Sequence, residues 1–215
     1  MEDILNEIEI RVLGSLLEKE KATPEYYPLS LNALTNACNQ KSNRDPVVSF
    51  DETTIIQALD SLKEKKFVWR SDASRVTKYS QNFVKSKNLI DKEAALICLM
   101  LLRGPQTLGE LRNRSDRLYK FNNLEEVEEV LDSLASMEMA IKLPKQPGRK
   151  EARYAHLLAG KPNIGDNSHD QSELTATRQM TGKIRITDLE LEISLVKEEL
   201  NELREEFTEF KKQFE

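Results

Sequence analysis

The sequence predicts a mainly α protein with small β-hairpins (α+β), and three observations predict it. Leu59-Asp60-Ser61-Leu62 returns as Leu131-Asp132-Ser133-Leu134. Each copy sits late in a segment with apolar residues at helical spacing. Each is followed by a short hydrophobic run, a polar turn and a second run ending near Tyr79 or Tyr154, the pattern of a hairpin. Two more helical segments precede each copy. Three helices and a hairpin, twice over, is the order of tandem winged helix-turn-helix modules. The expected organisation is module one at 1–87, module two at 88–158, a flexible linker at 159–183 and a parallel coiled coil at 184–215.

The first helix is read from residues 4–20, where Ile4, Ile8, Val12, Leu13, Leu16 and Leu17 fall on one face. Pro24 and Pro28 impose a rigid non-helical connection through Tyr26 and Tyr27. Ser30 is the expected cap of a second helix running to about Gln40. Asn43-Arg44-Asp45-Pro46 breaks the chain. Ser49 with Glu52 reads as a capping box, opening a helix that buries Ile55, Ile56, Leu59 and Leu62. Phe67–Trp69 and Val76–Tyr79 flank Ser71–Ser74 as the first wing. In the second copy Asp91 is the expected cap of a helix through Leu102, ended by Gly104-Pro105. Thr107 and Glu110 form another capping box. Asn122 is the expected cap of the third helix, which buries Val127, Val130, Leu131 and Leu134. Ala140–Leu143 and Ala152–Leu158 form the second wing. Modules this small bury only about 60% of their chain surface, so the two are expected to pack on each other.

Residues 159–183 are polar, with almost no large apolar side chains, as in a flexible linker. Beyond them Ile186, Leu189, Ile193, Val196, Leu200, Leu203, Phe207, Phe210 and Phe214 alternate in spacings of three and four, an unbroken heptad seam. With Ile186 at position a, a parallel dimer pairs Arg185 with Glu190, Glu192 with Lys197, Glu199 with Arg204 and Glu206 with Lys211. All four pairs are opposite in charge. The antiparallel arrangement sets mostly like charges together, so a parallel homodimer is expected. The three Phe leave a trimer open.

The net charge is -5. Residues 1–87 carry 13 acidic and 13 basic groups, residues 88–160 carry 11 and 11, and residues 161–215 carry 13 and 8. The modules are neutral, so any cationic surface has to come from local clustering. Cys98 lies in the apolar run Ala94–Leu102 and reads as a buried thiol; Cys38 sits in a polar helix. Two Cys and two His at scattered spacing give no metal signature. The acidic Met1-Glu2-Asp3 is no signal peptide, and no apolar run approaches the roughly 20 residues of a membrane helix. A soluble, cytoplasmic protein without cofactor or membrane contact is expected. No nucleophile with a His partner and no Gly-rich phosphate loop occurs, so no enzyme is expected.

In a DNA-binding winged helix the third helix enters the major groove and the wing meets the backbone or minor groove. Module one is read as presenting Thr54, Gln57 and Ser61 outward. Module two presents Glu126, Glu129 and Ser133 at the equivalent positions, with Glu125 and Glu128 alongside, and is a poor groove reader. Asn39, Gln40, Lys41, Asn43 and Arg44 form a polar, basic turn whose side chains suit phosphates and base edges; equally, they suit local hydrogen bonds that tie the loop down. Arg75 and Lys78, with Arg70, make the first wing basic. Arg149, Lys150 and Arg153 do the same for the second, and Arg112, Arg114, Arg117 and Lys120 cluster after its second helix. The expected function is a dimeric, DNA-associated, transcription-regulator-like protein. The alternative is a protein-interaction scaffold that does not bind DNA.

Several stretches resemble the YceH family of bacterial proteins: Glu9–Lys19, Thr23–Ser30, Asn36–Val47, Arg75–Tyr79, Leu101–Thr107 and Pro147–Tyr154. The likeness covers about residues 7–158. It implies tandem winged helices and no defined activity, and it transfers no catalytic or ligand residue. The Asn39–Arg44 and Arg75–Tyr79 runs fall within the family's motifs.

Overall fold

Asn6 opens the first helix. Its Oδ1 accepts from the amides of Ile8 and Glu9, and the Glu9 carboxylate accepts from the Asn6 amide, so the free donors of helix α1 (Glu7–Ala22) are satisfied reciprocally. In this computed structural model residues 4–73, 75–145, 148 and 151–162 are described. The expected coiled coil, including Ile186 through Phe214, lies outside them. So do the charge pairs that orient it and all but the start of the expected linker.

After α1 a single 3-10 turn (Pro24–Tyr26) leads to the short strand β1 (Leu29–Ser30) and helix α2 (Leu31–Cys38), capped by Ser30 as expected. Helix α3 (Glu52–Glu64) follows, then the hairpin strands β2 (Val68–Ser71) and β3 (Lys78–Gln81). A one-turn helix, α4 (Phe83–Ser86), was not expected from the sequence; Phe83 is fully buried and meets Phe67 edge to face at 5.0 Å. The second copy runs α5 (Asp91–Arg103), α6 (Leu108–Arg114), α7 (Leu124–Ser136), β4 (Ala140–Lys142) and β5 (Tyr154–His156). Both hairpins are antiparallel, and β1 adds to the outer edge of β3, giving the order β1-β3-β2. The structure is therefore mainly α with small antiparallel sheets.

Several boundaries differ from expectation. Ser49 does not cap α3, because the Asn39 side chain holds the Phe50 amide and keeps the chain extended; Asp51 is the cap, accepting from Thr54. Asn123, not Asn122, caps α7, and Ile90, not Asp91, occupies the cap position of α5, with its amide held by Glu93. Ile4 is exposed and Leu5 is buried in its place; Ile56 is exposed and Ala58 is buried. The remaining expected core positions of α3 and α7 are buried.

One core serves both copies. Its axis is the pair α1 and α5. Seven consecutive residues of α1, Arg11–Leu17, are buried, and so is the whole stretch Glu93–Leu102 of α5. A helix buried on every face needs neighbours all round, and each supplies the other's missing wall. Gly14 lies at the contact: a Cβ there would stand 2.9 Å from Leu102 Cδ2, 3.0 Å from its Cγ and 3.1 Å from Leu101 Cβ. Cys98 Sγ reaches the Gly14 carbonyl at 3.5 Å. Leu5 donates to the Leu158 carbonyl at 2.7 Å, so the start of the first copy is bound to the end of the second. Gly104 ends α5 with φ of 66°, a backbone state that suits glycine. No helix among the described residues is long and apolar enough to cross a membrane.

Gly14→Ala separates two reasonable expectations. In an open helix the change stabilises by up to about 1 kcal/mol. At Gly14 it overpacks α1 against α5, and a net loss of about 1–3 kcal/mol is expected. Gly109→Ala, where a Cβ meets nothing within 4 Å, is the control and should be neutral or stabilising. Urea denaturation of both variants checks the contrast, which disappears if the helices can part freely.

Candidate nucleic-acid interface

In the Asn39–Arg44 turn four of the five candidate side chains are engaged within the fold. Asn39 Nδ2 donates to the Phe50 carbonyl at 2.7 Å, and its Oδ1 accepts from the Phe50 amide at 2.8 Å. Arg44 is buried, with no side-chain exposure. Its guanidinium forks onto Glu18 at 2.6 and 3.1 Å and also donates to the carbonyls of Ala37 and Asn43. Asn43, at φ 59°, accepts from Arg103 through its side chain. Gln40 accepts from Lys19 at 3.3 Å. Of the five residues only Lys41 has no side-chain hydrogen bond or ion pair among the described residues, and it is exposed. Arg44 as a DNA contact is thus withdrawn: its donors are spent on Glu18 and backbone, inside the fold.

What this turn does instead is clasp the two copies. The Asp45 amide donates to Leu102 O at the C-terminal end of α5, and Arg103 of that helix bonds Asn43. Arg11, itself 4% exposed, donates to the Pro46 carbonyl at 2.5 Å. Burial pushes the Glu18 carboxyl up, but the hydrogen bonds and charge of Arg44, with Lys19, outweigh it and hold Glu18 below the usual range. Burial lowers the pKa of Arg11, and the neighbouring Arg44 charge adds to that. Cys38, fully buried, has its thiol pushed up to about 11 by burial; Cys98 is buried as expected and is shifted upward for the same reason. Both are free. Among the described residues no group of three or more His, Cys, Asp or Glu is placed to hold a metal.

The repeated serines also differ from expectation. Ser61 Oγ donates to Glu9 Oε1 at 2.5 Å, and Ser133 Oγ donates to Glu93 Oε1 at 2.8 Å. Both therefore point inward, joining the third helix of each copy to the first. The accepting Glu is in each case the residue whose other oxygen caps its own helix start. Lys65 adds an ion pair to Glu9 at 2.6 Å; the position equivalent to Lys65, shifted by the repeat, is Met137, which is exposed. Burial raises the Glu9 carboxyl, but Lys65, Ser61 and the Asn6 amide bring it below its ordinary value. In each copy that Glu stands three residues after the cap position, Asn6 or Ile90.

The exposed face of α3 consists of Glu52, Thr53, Ile56, Gln57, Asp60, Lys63 and Glu64, with Thr54 half-buried. That of α7 is Leu124, Glu125, Glu128, Glu129, Asp132, Ala135 and Ser136. Glu126 turns aside to the Asn122 amide and Tyr119. On the first hairpin Arg75 is exposed and Lys78 half-exposed, both without an ion pair among the described residues, while Arg70 pairs with Asp72 at 3.1 Å. In the second copy Arg153 is occupied by the Pro105 carbonyl at 2.7 Å and Glu110 at 3.2 Å. Arg112 donates to the Asn122 carbonyl, and Arg114 to Gln106 and Glu110; Arg117 and Lys120 are exposed. Arg149 and Lys150 lie outside the described residues. Exposed cations thus stand on both copies, Lys41, Arg75 and the half-exposed Lys78 on the first and Arg117 and Lys120 on the second, while the exposed α3 face carries three acids and Lys63 against four acids on α7.

A family model described as a protein of unknown function, DUF480, matches residues 5–149. A UPF0502 protein of Geobacter sulfurreducens is 48% identical over 219 residues, covering all of both chains. One from Geotalea daltonii is 50% identical over 218 residues, again all of both. A UPF0502 protein of Vibrio vulnificus is 46% identical over 211 residues, 93% of this chain and 95% of its own.

Removing Arg44 leaves the half-buried Glu18 with only Lys19 at 3.4 Å and takes the guanidinium from the Ala37 carbonyl, so Arg44→Ala should destabilise by about 3 kcal/mol, measured by urea unfolding. The pH sign follows from the carboxyls. Glu9 and Glu18 are held below 4.5 in the fold, so their contribution is complete above that pH and is lost as the pH falls through their folded values. Glu18→Gln should flatten the acid limb of the stability curve while lowering the neutral plateau. An unchanged acid limb would contradict the assignment.

Proposed function

The chain belongs to the DUF480 family, whose function is unknown, and from that premise we propose that it is a non-enzymatic, DNA-associated protein of the transcription-regulator type. The YceH likeness is compatible with the same family. In this reading the helix-helix-helix-hairpin order is that of a winged helix-turn-helix, and module one and its wing meet duplex. A parallel coiled coil through 184–215 joins two cytoplasmic copies, which raises apparent affinity through effective concentration.

The observation that carries the reading is the contrast between the two third helices. Between Glu52 at its start and Asp60 and Glu64 towards its end, the latter offset in part by Lys63, the α3 face offers an amide, hydroxyls and a branched apolar side chain in Gln57, Thr53, Thr54 and Ile56, types that read adenine edges and thymine methyls. Arg75, Lys78 and Lys41 supply cations for phosphate. The α7 face, with four exposed acids, would meet a phosphate-lined groove unfavourably. That acidic face favours a second reading, in which module two is a docking surface for another protein and the whole is a scaffold.

Anisotropy titration of the full-length protein with mixed duplex across a salt series tests the first reading. A steep fall in affinity with salt is expected, about 0.9 log units per log unit of salt for each phosphate neutralised. Lys41→Glu with Arg75→Glu should weaken binding at least tenfold at low salt and make the salt slope shallower. No binding at low salt overturns the reading in favour of the scaffold. Separately, deleting 184–215 should give a monomer by light scattering; an unchanged mass would sink the coiled-coil dimer.

A further inference from the structure

Trp69 is the only tryptophan in the chain and is 56% exposed. It sits inside β2, where strand alternation sends Val68 into the core and Trp69 outward. The register sets Trp69 opposite Ser80, Ser71 opposite Lys78, and Lys78 opposite Ser30. The outer face of this three-stranded sheet therefore carries one indole, one lysine and three serines, with Lys78 as the diagonal neighbour of Trp69. Serine side chains are too short to cover an indole. None of the strand residues on this face is a carboxylate; Asp72, the first residue after β2, is engaged by Arg70 and Thr77. Arg75 lies in the turn joining the strands, exposed.

An uncovered aromatic face flanked by cations matches a nucleotide better than it matches an apolar partner, because it offers stacking and phosphate attraction with little further apolar area. In duplex DNA the base faces are hidden by their neighbours and only edges are offered. We propose that this sheet face is a platform for unpaired DNA: one base stacks on Trp69, and the adjoining phosphates lie against Lys78 and Arg75. The proposal rests on the DNA reading above and adds to it a preference for duplex that carries a single-stranded extension.

The experiment compares a blunt duplex with the same duplex bearing a short oligo-thymidine tail, using full-length protein at fixed low salt. Anisotropy gives affinity, and Trp69 fluorescence reports the contact directly. The tailed duplex should bind about tenfold tighter and quench the emission. Trp69→Ala, an exposed position that leaves the core intact, should abolish the tail preference, read as the ratio of tailed to blunt affinity. Equal affinities, unquenched emission, or a tail preference that survives Trp69→Ala each overturn the platform. If blunt duplex still binds, only this inference falls; if neither DNA binds, the DNA reading falls with it.

Discussion

The close approach of α1 and α5 is the constraint on which the rest depends. Each is buried along its middle, and both contribute to one core shared by the two copies. Small domains are short of core because surface falls slowly with size. Here the shortage is met by putting the two first helices together, with Gly14 permitting the distance. The contact is steric before it is energetic: a single methyl at Gly14 would run into Leu101 and Leu102.

From that axis the remaining elements are positioned by polar ties. In each copy one glutamate serves two masters, capping its own helix with one oxygen and accepting the third helix's serine with the other. A buried carboxylate is tolerable only when hydrogen-bonded, so the tie fixes where α3 and α7 lie against their first helices. The Asn39–Arg44 turn then locks onto the end of α5 through Asn43 and Asp45. Among the described residues the surface left uncommitted on the first copy includes the α3 face, Lys41, and the hairpin with Arg75, Lys78 and Trp69.

Much of this was legible in the sequence. Periodicity gave the helices, and Ser30, Thr107 and Gly104 marked their ends correctly because those signals are local. Ser49 and Asn122 failed as caps because competing hydrogen-bond groups stood one or two residues on. The site was less legible. Arg44 reads as a surface cation until Glu18, 26 residues away, is known to lie beside it. Ser61 reads as outward-facing until Glu9 is seen to reach it. In both cases a distant carboxylate reverses the meaning of a polar residue, and one sequence does not display such pairings. Trp69, apolar by type, was absorbed into the strand pattern; only the register shows which side of the sheet it faces.

The two Ser–Glu ties are matched in chemistry but not in spacing: 52 residues separate the partners in the first copy and 40 in the second. Connections can lengthen at small entropic cost, so the tie survives while the loops between its ends diverge. Part of the extra length in the first copy lies in the Asn39–Phe50 stretch, from which Asn43, Asp45 and Pro46 reach across to α5 and Arg11. In evolutionary terms, a segment that breaks the symmetry of the repeat also helps to join its halves. A chain shortened there to restore the repeat would keep each copy's internal plan and the packing of α1 on α5, and would lose the polar bonds that Asn43 and Asp45 make to the end of α5.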